Sequence, residues 1–190
     1  AAEHARLALQ GLFMYGVSYV CVYHAERHLV SGLVAVGYSA SPLTAGLGAR
    51  ALFGTPLKAR FIVGGLLGVS GVALIFWPEF GKAADNASTA LGALFTLAAV
   101  LLSTIGSLTA SRNARHALPL WPALGYGMVY GALGAFVVAL LLGRALTPDA
   151  GALASPSWWV SLLYLALAGS VVAFACFLTV QERLGPGRAG

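Results

Sequence analysis

Two stretches of this chain, Phe61 to Trp77 and Ala87 to Ser111, contain no ionisable side chain. At about 1.5 Å of rise per residue, helices of this kind cross the roughly 30 Å hydrocarbon core of a bilayer. With 59% hydrophobic and 9% charged residues, the chain lacks the polar surface needed to enclose that much apolar material in water. Its mean hydropathy of +0.84 places it with membrane proteins. In hydrocarbon every backbone amide must be satisfied within the chain, and the strict alternation of a barrel strand is absent. The expected fold is therefore all-α, a polytopic bundle of transmembrane helices.

Six spans are predicted: Leu7 to Tyr23, Leu29 to Phe53, Phe61 to Trp77, Ala90 to Ala110, Trp121 to Gly143, and Trp158 to Val180. Breaks rich in charge or turn residues separate them, among them Glu26-Arg27-His28, Thr55-Pro56-Leu57-Lys58, Pro78-Glu79-Phe80-Gly81, Arg112-Asn113-Ala114-Arg115 and Pro148-Asp149. All four tryptophans, Trp77, Trp121, Trp158 and Trp159, fall at span ends, where an amphipathic indole favours the headgroup layer. Lysine and arginine accumulate on the cytoplasmic side of membranes. A cytoplasmic N-terminus puts Arg6, Arg50, Lys58, Arg60, Arg112, Arg115, Arg183 and Arg188 inside, leaving Arg27, Lys82 and Arg144 outside. The expected location is the inner (plasma) membrane.

The net charge of +5 does not indicate nucleic acid, because the basic residues sit in inter-helix loops rather than in a stripe with interleaved aromatic contacts. Cys21 and Cys176 lie in apolar spans without CxxC or CxxH neighbours, so neither a disulfide framework nor a zinc site is expected. Asn86-Ala87-Ser88 matches the short glycosylation pattern but carries little weight beside the membrane. No nucleophile elbow or metal-ligand spacing occurs, which argues against an enzyme, and no cofactor is expected. No Asp, Glu or Lys falls at mid-span, where a proton relay would place one. The chain begins at Ala1 rather than Met, as a fragment would.

Pro42 interrupts the second span within Tyr38-Ser39-Ala40-Ser41-Pro42-Leu43-Thr44. It has no amide N–H and frees the carbonyl one turn earlier, near Tyr38, so a kinked polar turn is predicted there. Tyr38, Ser39, Ser41 and Pro42 are candidate binding residues on that ground; a kink without binding is the simpler alternative. Tyr15, Tyr19 and Tyr23 recur every four residues and share one helix face. Tyr15 and Tyr19 lie deep enough to need partners for their hydroxyls, in a cavity wall or in packing against other helices. Thr104, Ser107 and Phe174 are weaker candidates, since serine and threonine hydroxyls also bond to their own helix backbone. Small-residue pairs, Gly64 and Gly68, Gly68 and Gly71, and Gly127 and Gly131, mark faces for close helix packing or for sliding.

A shift of 155 residues aligns Tyr19 with Phe174, Cys21 with Cys176, Leu29 with Leu184 and Gly32 with Gly187. Five predicted spans separate the copies, so they enter the membrane from opposite sides, as in inverted-repeat transporters.

Ala40-Ser41-Pro42-Leu43-Thr44, Leu52-Phe53-Gly54-Thr55-Pro56-Leu57 and Gly65-Leu66-Leu67-Gly68-Val69-Ser70-Gly71-Val72 resemble the EamA-like drug/metabolite transporters. So do Leu165-Ala166-Leu167-Ala168-Gly169-Ser170-Val171-Val172-Ala173-Phe174 and Gln181-Glu182-Arg183-Leu184-Gly185-Pro186-Gly187-Arg188-Ala189. That resemblance implies ten helices in two inverted five-helix repeats, of which this chain holds helices three to eight. Residues 1–86 are then the C-terminal part of the first repeat and residues 87–190 the N-terminal part of the second, with three spans each. It also implies a central substrate cavity, to which Tyr15, Tyr19, Tyr38, Ser39, Ser41, Pro42, Thr104, Ser107 and Phe174 are carried over. Gly54-Thr55 departs from the Gly-Glu that the family often has after its fourth helix. The expected activity is alternating-access transport of a small polar or amphipathic metabolite or drug-like compound, an amino acid among them, with export favoured. The expected partners are that small molecule and the lipid bilayer. A non-transporting membrane scaffold is the rival, and it predicts tight packing where transport predicts a cavity.

Overall fold

The computed structural model describes residues 2–75, 77, 87–143 and 150–186, and every regular element among them is helical. Helix α1, Ala2–Ala25, is continuous but widens to a π-helical segment at Leu12–Val17. Two short helices follow, α2 at Ser31–Tyr38 and α3 at Ser41–Phe53. Gly54 ends α3 in the left-handed conformation, φ 66°, and its N–H caps the Arg50 carbonyl. Only glycine enters that conformation without steric cost. Helix α4 is Ala59–Ile75, α5 is Ala87–Arg115 and α6 is Leu120–Leu141. The five-residue α7, Ala150–Ala154, precedes α8, Pro156–Leu184, which has its own π segment at Leu165–Val172.

Four helices are long and apolar enough to cross a membrane: α1, α5, α6 and α8. They correspond to the first, fourth, fifth and sixth expected spans. The second expected span, Leu29 to Phe53, is instead two helices broken at Ser39-Ala40, and the third is the shorter apolar α4. The described residues thus show four membrane-length helices, and the second expected span is interrupted next to Pro42, at the predicted turn. The break follows from Pro42, which has no N–H to offer the Tyr38 carbonyl and sits instead in the first turn of α3, where no amide bond is lost.

The helices run with consistent direction. His28 Nδ1 meets Ser88 Oγ at 2.7 Å, the Thr44 and Thr104 hydroxyls meet at 2.8 Å, and Gly37 and Gly48 lie against Thr96 and Leu108. Each pair is separated by about the same number of residues, 60 for the two hydrogen bonds, so α2 and α3 together run parallel to α5. Gly46 against Phe61 and Gly65 against Leu43 make α4 antiparallel to that pair. Helices α1 and α6 cross with glycine facing glycine: a Cβ on Gly16 would lie 2.9 Å from the Gly131 carbonyl oxygen, and one on Gly131 would lie 2.8 Å from that of Gly11. The core, with Met14, Ala110, Leu124, Ala175 and Leu178, lies among α1, α5, α6 and α8.

One end of the bundle gathers the cations. The Arg115 guanidinium lies 4.1 Å from the centre of the Phe53 ring, and Gln10 bonds Asn113, so the ends of α3 and α5 and the start of α1 adjoin. Arg6, Arg50, Arg112 and Arg183 are on those helix ends or on the matching end of α8, and Lys58 and Arg60 begin the path into α4. At the opposite end the His24 and Phe95 rings are 5.4 Å apart. Lys82, Arg144 and Arg188, the breaks at residues 78–81 and 148–149, Asn86 and Gly187 lie outside the described residues. The outward faces are apolar, with Leu67, Leu74 and Leu141 among many exposed large side chains. A contiguous apolar exterior of this extent is suited to lipid rather than water.

Candidate functional site

A cavity of about 490 Å³ lies among α1, α2, α3, α5 and α8. Its α1 wall is Met14, Ser18, Tyr19 and Val22; α2 supplies Val34, Ala35 and Tyr38, and α3 supplies Ser41 and Ala45. Ser103, Thr104 and Ser107 of α5 and the rings of Phe174 and Phe177 of α8 close the far side. The lining extends from exposed Glu26 and Ser31 at one end to buried Pro186 at the arginine-rich end. Tyr19 and Ala35 in its walls are exposed as well, and Pro186 also lines a further space among Gly46, Ala49 and Lys58.

Three of its walls trace to local sequence. Tyr38 ends α2 at the proline break, and its hydroxyl lies beside Ser103. Ser103 and Ser107, four residues apart, share one face of α5 with Thr104 at its edge. Thr104 donates to the Val100 carbonyl at 2.8 Å and meets Thr44, so its hydroxyl ties α3 to α5 while facing the cavity. Phe174 and Phe177 follow the second π segment at helical spacing. Glu26 is the one acidic residue among the lining, at the end away from Pro186. Apolar walls with a few converging hydroxyls suit a small amphipathic molecule.

Tyr19, Tyr38, Ser41, Thr104, Ser107 and Phe174 come together in this lining. Tyr15, Ser39 and Pro42 do not belong to it. Tyr15 is turned toward α6 and α8, where its ring meets Phe174 edge-on at 4.7 Å and packs beside Gly127. It lies within the π segment, and the wider turn separates its direction from that of Tyr19. The Ser39 hydroxyl donates to the Val36 carbonyl at 2.6 Å, and Pro42 acts by ending the amide ladder. Ser18, Ser31, Ser103 and Phe177 were not expected; the helical spacing of Ser103 to Ser107 and of Phe174 to Phe177 is the signal that points to two of them.

Beyond Ser107, toward the arginine-rich end, is a polar cluster. Gln181 accepts from Ser107 Oγ at 2.9 Å and donates to the Ser107 carbonyl and to Ser111 Oγ, each at 2.6 Å. Asn113 donates to Gln10 Oε1 at 2.9 Å. These residues are all buried. Their signal in the sequence was their rarity: Gln10 and Gln181 are the chain's two glutamines, and Asn86 and Asn113 its two asparagines.

The 155-residue shift also carries Leu12–Val17, the π segment of α1, onto residues 167–172, inside the π segment of α8. The two helices run in opposite directions, because α1 leaves the arginine-rich end and α8 arrives there. No family model matches the chain, and no curated protein or solved structure matches it.

Proposed function

We propose that the chain is part of an inner-membrane permease that moves a small amphipathic molecule by alternating access. The observation that carries this reading is the cavity whose lining runs from exposed Glu26 to buried Pro186. The cavity beside the break at Ser39-Ala40 favours this reading over a scaffold, which predicts tight packing there. Six traverses of the bilayer follow if α2 and α3 cross as one broken helix, since together they match residues 88–108 of α5 in length, and if α4 returns antiparallel to them. Paired π segments in oppositely directed helices at the 155-residue shift favour an inverted repeat. On this reading the chain belongs with the EamA-like drug/metabolite transporters, and its arginine-rich end with the N-terminus is cytoplasmic. Aromatic walls with Glu26 at the mouth favour a substrate that carries an amine.

The open glycine face of α4 supports the second reading, a scaffold that recruits another helix: a Cβ at Gly64, Gly68 or Gly71 would meet nothing within 4 Å. Solvent access separates the two. Ser41→Cys, in a chain with Cys21→Ala and Cys176→Ala, reacts with a membrane-impermeant thiol reagent applied at the Glu26 end, and an amine-bearing substrate protects it. A thiol inert from both sides rejects the cavity as a transport site.

A further inference from the structure

Three of the chain's four side-chain carboxamides meet in one place. Gln10, Asn113 and Gln181 line a second, smaller cavity of about 30 Å³, together with Ser111 and the exposed Glu182. It continues the line of the main cavity toward the arginine-rich end, with Ser107 shared as a lining residue of the first and a hydrogen-bond partner of Gln181. Gln10 is wholly buried, Asn113 is 1% exposed and Gln181 is 2% exposed.

Their pairing is incomplete in an informative way. Asn113 Oδ1 has no hydrogen-bond partner within the protein, and Gln10 Nε2 and the Tyr15 hydroxyl lie beside each other without reaching hydrogen-bond geometry. Two carboxamides that share one hydrogen bond leave one amide NH2 group and one carbonyl oxygen wholly unpaired, whichever way both amides are turned. A cation satisfies only the acceptor and is repelled by the amide donor. A water molecule both accepts and donates, and it fits a polar space of this size, which needs only about 10–15 Å³ of accessible volume.

We propose that this cluster is a hydrated gate: a water-binding site between Gln10 and Asn113 that, with the Gln181 clamp on Ser107 and Ser111, closes the cavity toward the arginine-rich end. The inference rests on the transport reading above. Opening the clamp leaves the separated amides able to bond water, so the gate switches between direct and water-mediated hydrogen bonds without stranding a polar group in an apolar interior. The clamp joins α5 to α8 and the Gln10–Asn113 bond joins α1 to α5, so three helices part when it opens.

Two measurements test it on the full chain carrying Ser41→Cys, Cys21→Ala and Cys176→Ala, in oriented proteoliposomes. Gln181→Leu removes the clamp at similar volume and raises thiol labelling from the arginine-rich side by about tenfold, while labelling from the Glu26 side is unchanged. If Gln181→Leu does not fold, Ser107→Ala with Ser111→Ala weakens the same clamp and raises that labelling by about threefold. An unchanged rate from the arginine-rich side in the folded variants overturns the gate, as does an equal rise from both sides, which marks a merely structural clamp. Failure of the transport reading shows separately, as a parent thiol unreactive from the Glu26 side. For the water, asparagine-labelled protein in lipid gives a water-to-side-chain transfer signal at Asn113 in solid-state NMR. Gln10→Leu abolishes it by removing one of the water's two partners. An Asn113 signal that receives nothing from water in the parent overturns the hydrated site.

Discussion

At Gly11, Gly16, Gly127 and Gly131 two membrane-length helices approach until backbone meets backbone, and the absent Cβ atoms are the reason they can. Gly64, Gly68 and Gly71 have the same spacing character in sequence and face open space. The pattern alone therefore identifies a smooth face without saying whether it is occupied. The two sets are expected to separate in a thermal unfolding measurement in detergent. Gly131→Leu drives a side chain into Tyr15 and the Gly11 carbonyl and costs about 1–3 kcal/mol. Gly68→Ala meets nothing and is neutral or stabilising by up to about 1 kcal/mol, as expected for glycine replaced by alanine in a helix. Tyr15 teaches the same lesson: its four-residue spacing from Tyr19 places both on one side of an ideal α-helix, but the π turn at Leu12–Val17 sends one ring to Phe174 and leaves the other on the cavity.

Among the helices, the break at Ser39-Ala40 has the largest consequence, because Tyr38 before it and Ser41 after it both line the cavity. The sequence marks the site of the break through Pro42, since a missing amide is a local property. Whether the broken ends face lipid, packed helix or a cavity depends on α5 and α8, which lie far along the chain. Pro42→Ala restores the N–H that the Tyr38 carbonyl lacks and is expected to join α2 to α3 as one helix. Spin labels placed at Val30 and Phe53 then report a lengthened and narrowed distance distribution, and Ser41→Cys labels more slowly. An unaltered distribution shows that tertiary packing, rather than proline, holds the break.

For the molecule as a whole, the parallel course of α2–α3 with α5 and the antiparallel return of α4 bring Arg50, Lys58, Arg60, Arg112 and Arg115 to one end. Bringing that many cations together costs little where headgroups and water solvate them, and it supplies the bias that orients a chain in a membrane. Arg60→Cys and Arg115→Cys are expected to label from the same face of sealed vesicles, and Glu26→Cys from the other. Labelling of Glu26→Cys together with the arginine positions removes the crossing of α2–α3.

Composition and hydropathy were enough to determine that the chain is helical and that its helices suit a bilayer, because backbone satisfaction in hydrocarbon is a per-residue demand that does not depend on neighbours. The positions of α1, α5, α6 and α8 were likewise legible, since each is a long uncharged or nearly uncharged run. The turn near Pro42 was legible for a similar local reason, a freed carbonyl among hydroxyls, whereas Thr104 and Ser107 of α5 are candidates partly through the family resemblance. The polar contacts between helices were not. Gln10, Asn113 and Gln181 are separated by about a hundred and by about seventy residues, and no periodicity links them. Only the packing of α1, α5 and α8 decides that they meet beside the cavity, and that the Tyr15 ring turns away from it.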